Sequence, residues 1–190
     1  MRRWLLLAAG LVLILVGCTE LRPITPNPPM PTSPPPIPTI QSAADTDVDI
    51  AVLRDYFSPA SKTSFKGYGF PVVYIVDRVY ARGSDGTAKN VVLAVISPAD
   101  QQRVIAAFRD HATIRFVADG QDAIVRPNGC AQVRDHGILL TFTVPVHTME
   151  QTTEGLSGFV ACLGADGFEY QLREDAQGWT VTGSRPLWVA

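Results

Sequence analysis

From Asp45 onward, apolar and polar residues alternate in two rhythms, one helical and one extended. Ile50, Leu53, Tyr56 and Phe57 recur at helical spacing, and Thr46 with Asp49 has the form of a capping box. This predicts a short amphipathic helix over 47–57, ending before Pro59. Pro71 to Arg82 then alternates with period two. Val73, Ile75 and Val79 share one face, and Val72, Tyr74, Val76 and Tyr80 share the other. Two apolar faces predict a strand covered on both sides. Gly83-Ser84-Asp85-Gly86 reads as a turn, and 90–96 as the returning strand of a hairpin. Ser97-Pro98-Ala99-Asp100 combines a cap, a first-turn proline and an acid at the positive end of a helix. Val104, Ile105, Ala107 and Phe108 supply its buried face.

The remainder predicts strands at 114–118, 123–126, 137–147, 158–163, 167–173 and 179–183, with Pro145 bending the long one or holding it at an edge. Helix, two strands, helix and a run of strands is the order of an α+β fold. The expectation is a mainly antiparallel, curved sheet with two helices packed on one side.

Composition changes the picture upstream. Pro23 to Pro38 holds nine of the chain's 15 prolines. Proline fixes φ and lacks a donor, so this run joins neither helix nor sheet. It reads as an extended spacer, roughly 50 Å long at about 3.1 Å per residue. Before it, Trp4 to Val16 is apolar apart from Gly10, and Arg2 and Arg3 precede it. That run has the length of an export-signal core and falls short of the roughly 20 residues of a membrane span.

Leu15-Val16-Gly17-Cys18 closes the apolar run. This resembles the lipobox of a bacterial lipoprotein precursor. The resemblance implies a diacylglyceryl group on the Cys18 thiol, cleavage between Gly17 and Cys18, and anchoring to the cell membrane or outer envelope. Residues 1–17 are then a signal peptide, 18–44 a lipidated N-terminus with its proline-rich linker, and 45–190 a single extracytoplasmic domain. Two or three acyl chains, at about 0.8 kcal/mol per buried CH₂, make attachment to the lipid membrane long-lived.

Charge excludes one class of partner. The precursor has 16 Lys+Arg and 18 Asp+Glu. Without Arg2 and Arg3 the balance is 14 against 18, a mature charge of −4. No basic patch points to nucleic acid. Cysteine usage points to an oxidising compartment: with Cys18 lipidated, Cys130 and Cys162 remain as an even pair and are expected to form a disulfide.

Candidate chemistry is sparse. Gly155-Leu156-Ser157-Gly158-Phe159 has Phe159 where a nucleophile elbow needs glycine, so it reads as a glycine-rich turn before a strand. Asp45, Asp47 and Asp49 have calcium-loop spacing, but Ile50 and Tyr56 occupy the required glycine and glutamate positions. His111, His136 and His147 lie at no zinc spacing, and no cofactor fingerprint is present. No residue is assigned a catalytic or metal-binding role. The expectation is a non-catalytic envelope domain that binds an envelope protein, a wall polymer or a small ligand. Tyr56, Tyr68, Trp179 or Trp188 would line the contact. A tethered hydrolase with an unmarked site is the alternative, signalled by a cleft that gathers a histidine and a carboxylate.

Overall fold

The computed structural model describes residues 37–190. Cys18, the signal segment and most of the proline run lie outside them. The described chain is an α+β fold with a curved sheet, as the pattern predicts, and seven of its ten strand pairings are antiparallel.

One strand pairing of the described residues falls within the stretch expected to be linker. β1 (Thr39–Ile40) runs parallel to Ala94 and Val95, and the Gln41 amide bonds to the Val95 carbonyl at 3.0 Å. Helix α1 (Ala43–Tyr56) therefore starts four residues earlier than expected. Its N-cap is Ser42, whose hydroxyl accepts from the Asp45 amide at 3.1 Å. Two capping boxes overlap here, Ser42 with Asp45 and Thr46 with Asp49, and the upstream one prevails. Thr46 then lies inside the helix, bonding back to the Ser42 carbonyl, and Asp49 is drawn into the core.

The stretch 71–82 is two strands, not one. β2 (Val72–Val76) and β3 (Arg78–Arg82) are separated by a bend at Asp77 and belong to different sheets. β3 forms the expected hairpin with β4 (Ala88–Val95), and with β1 they make a three-stranded sheet. β2 instead lies between β5 (Thr113–Val117) and β8 (Ile138–Phe142), parallel to both. Helix α2 (Pro98–Phe108) keeps its expected Ser97 cap, which accepts from the Asp100 amide at 3.1 Å.

The main sheet has the path β12–β11–β10–β8–β2–β5, where β10 is Thr152–Ala161, β11 Gly164–Asp175 and β12 Gly178–Val189. Two short strands, β7 (Gln132–Val133) and β9 (Val146–His147), pair with β10, and β6 (Ile124–Val125) pairs with β7. Pro145 thus sits in the break between β8 and β9 rather than within a strand. Register shifts that leave one extra residue on β10 and two on β12 accompany the curl of the sheet.

Both helices cover one face. Val48, Val52 and Leu53 from α1 and Val104 and Phe108 from α2 meet Val73, Ile75, Leu140, Phe142, Leu156 and Leu172. The other face of β2 is covered by irregular chain: Val72, Tyr74 and Val76 pack with Ala123, Val133 and Leu139. The Cys130–Cys162 disulfide, with Cα atoms 5.6 Å apart, ties this cover to the end of β10.

The segment Gly155–Phe159, expected to be a turn, is the middle of β10. Its glycines serve close packing. A Cβ on Gly158 would collide with the Tyr56 hydroxyl, and one on Gly155 would meet Thr143 Oγ1 at 2.8 Å.

Candidate functional site

Alternation along β10 aims Thr152, Glu154, Leu156 and Gly158 inward. Helical spacing along α1 aims Thr46, Asp49, Leu53 and Tyr56 at the same sheet. Where the two stripes meet, two acids face each other: Asp49 and Glu154 are both 0% exposed. Gln41 Nε2 donates to Asp49 Oδ2 at 2.9 Å. As two carboxylates, the pair would leave Asp49 Oδ1 and both Glu154 oxygens without partners. A proton held on Glu154 and donated to Asp49 removes the repulsion and fills one gap. Burial raises the Glu154 carboxyl well above its usual range, and the charge of Asp49 raises it further. Burial likewise pushes Asp49 up to about 6, against the lowering effect of its hydrogen bonds to Glu154 and Gln41.

Nearer the surface, Asp45 in the first turn of α1 reaches His147 on β9. His147 Nε2 lies 2.7 Å from Asp45 Oδ1, and Nδ1 lies 2.8 Å from Thr152 Oγ1. With Nε2–H donating to the carboxylate, Nδ1 accepts from the Thr152 hydroxyl. Thr152 and His147 are register partners across β9 and β10, which holds the contact in place. The Trp179 ring lies 6.1 Å from the imidazole.

The order hydroxyl, imidazole, carboxylate is that of an activated nucleophile. Thr152 is only 2% exposed, while His147 borders with it a recess of about 530 Å³ that also gathers Glu150, Arg173 and Glu174. The Asp49–Glu154 pair is sealed between α1 and β10. The perturbed groups in this region therefore hold the helix to the sheet.

Elsewhere, Tyr56 donates to Asp166 Oδ1 at 3.0 Å, and the Ser64 amide donates to Asp166 Oδ2 at 2.8 Å. Burial raises both the Tyr56 hydroxyl and the Asp166 carboxyl. Tyr56, expected as a contact residue, is thus a core residue at 1% exposure, because it lies on the buried stripe of α1. On β11, Glu169 pairs with Arg82 and with Arg185, and so fastens the β3–β4 hairpin to the main sheet.

The other expected aromatics reach the surface. Tyr68 is 68% exposed and stacks on Phe70, with centroids 6.1 Å apart. Both line an apolar recess of about 180 Å³, completed by Phe57, Phe108, Ile114 and the ring of His111. Trp188 is half-buried and lies over Gly167, its register partner. Trp179 is half-buried and lines three neighbouring recesses beside α1.

The three spaced acids of α1 diverge. Asp45 goes to His147, Asp47 to Arg103 and Asp49 to Gln41 and Glu154. Among the described residues no cluster of His, Cys, Asp or Glu has the form of a metal site, and no helix is long and apolar enough to cross a membrane. No family model, curated protein or solved structure matches the chain.

Proposed function

We propose that this chain is a cell-envelope lipoprotein, held at the membrane through acylated Cys18, whose domain binds a ligand and does not catalyse. One observation carries the choice of binding over catalysis. The raised carboxyls, Asp49 and Glu154, are fully buried and the Thr152 hydroxyl is almost so, whereas the open recesses present Tyr68 on one side and, on the other, Trp179 beside His147, Glu150 and Glu174. Placement outside the cytoplasm takes its support from the Leu15–Cys18 motif, the proline spacer and the disulfide. The test is a panel of ester, peptide and glycoside substrates offered to the purified protein. The expected outcome is no turnover above buffer, and steady turnover abolished by His147→Ala would refute the reading.

A second reading, a tethered hydrolase, draws on the Thr152–His147–Asp45 chain. It requires β9 to lift from β10 and expose Thr152. It predicts that an active-site-directed phosphonate labels Thr152, and an unlabelled Thr152 would sink it.

A further inference from the structure

Three recesses share one side chain. The first, about 530 Å³, lies between His147, the Thr148–Gln151 turn, Thr152, Arg173, Glu174 and the start of α1 at Ala44. The second, about 340 Å³, continues past Asp47 and Arg54 to Gln177 and Gly178. The third, about 280 Å³, ends at Asp55 and Val181. Trp179 lines all three. On the helix side the lining residues Ala44, Asp47, Ile50, Ala51, Arg54 and Asp55 step along at intervals of about one turn, singly or as adjacent pairs, so they form one edge of α1. From 44 to 55 that edge runs about 16 Å at 1.5 Å per residue. The recesses are thus one groove, walled by α1 and the β11–β12 turn, with an indole at its centre.

The chemistry of the walls selects the occupant. Arg54 and Arg173 stand among Asp55, Glu150 and Glu174, so the groove favours neither a polyanion nor a polycation. Asp47 and Asp45 are already engaged by Arg103 and His147. What remains is mixed hydrogen-bonding capacity around an amphipathic ring, which suits a ligand with an apolar face and polar edges. An extended peptide is captured by a free sheet edge or an apolar trough, and this groove offers a helix edge and a hairpin tip instead.

We infer that the groove between α1 and the β11–β12 turn binds a neutral saccharide chain of the cell wall, with one sugar ring laid on Trp179. This rests on the envelope placement proposed above and names the ligand class for that binding domain. The test is titration of the full chain, in detergent, with a tetramer of N-acetylglucosamine, monitored by calorimetry. The expected result is a saturable change with millimolar or tighter affinity. Trp179→Leu should weaken it about tenfold or more, as loss of an aromatic anchor does, and Tyr68→Ala should leave it unchanged. Arg173→Ala, an exposed site, should also weaken binding and serves if the tryptophan variant does not fold. No saturable change, a change indifferent to both groove variants, or the same response to an unrelated neutral peptide would overturn the proposal. Fractionation of cells carrying Cys18→Ser reads the anchoring by itself. A chain that binds the tetramer yet stays membrane-bound without Cys18 overturns the placement and spares the groove. An acylated chain indifferent to the tetramer overturns the groove and spares the placement.

Discussion

Replacing Glu154 by glutamine tests whether the buried acid pair holds a proton. Both carboxyls have raised pKa values, chiefly through burial. The native state therefore keeps protons that the unfolded chain releases, and the stability they contribute is complete below the unfolded range and drains away as pH rises. For Asp49 the window runs from 3.8 to about 6, and at about 1.4 kcal/mol per unit the total loss is about 3 kcal/mol. Glu154 adds a second drain that begins near its unfolded value of 4.5. Glu154→Gln keeps a donor toward Asp49 and removes only that second drain. Urea unfolding of both proteins, at matched pH from 4 upward, gives the difference directly. The variant should gain on the wild type by about 1.4 kcal/mol per pH unit until the folded Glu154 itself titrates. Its own fall between pH 4 and 6, due to Asp49, should persist. A difference that does not change with pH would mean that Glu154 ionises normally, and the shared-proton account would be wrong.

Other consequences follow from packing and covalent structure. Tyr56→Phe removes the bond to Asp166 and should cost about 1–2 kcal/mol in chemical unfolding. Gly158→Ala should cost about 1–3 kcal/mol by crowding the Tyr56 hydroxyl, and markedly less in the Tyr56→Phe background, so a double-mutant cycle that adds simply would contradict the contact. Joint replacement of Cys130 and Cys162 by serine should remove about 3–4 kcal/mol and lower the melting temperature by roughly 10 °C, read by calorimetry. Ser42→Ala should cost about 1 kcal/mol while Thr46→Ala leaves the helix start unchanged, which amide exchange at Asp45 would report.

Local signals made much of this fold readable. Ser97-Pro98 marked α2 because cap and proline both act within one turn. The Gly83–Gly86 turn marked the β3–β4 hairpin for the same reason. The start of α1 misled because Ser42 and Thr46 each begin a capping box, and only the pairing of β1 with β4 favours the first. The bend at Asp77 carries neither glycine nor proline, and the alternation of apolar residues runs straight through it, so the switch between sheets left no trace. Asp49 and Glu154 were readable in part. Asp49 sits in step with Leu53 and Tyr56, and Glu154 in step with Thr152 and Leu156, but the second rhythm appears only if β10 is extended back to 152. The Asp45–His147 contact spans 102 residues and has no local signature. Trp179 lies half-buried beside α1, and the recesses around it depend on α1 packing next to the β11–β12 turn, which no local signal announces.

The account depends above all on where the domain is held. Growth with labelled palmitate, followed by isolation of this polypeptide from membranes, reads that directly. The account predicts label in the wild-type chain, none in Cys18→Ser, and release of the latter from the membrane fraction. An unlabelled wild-type chain, or one recovered free in the culture medium, would contradict it.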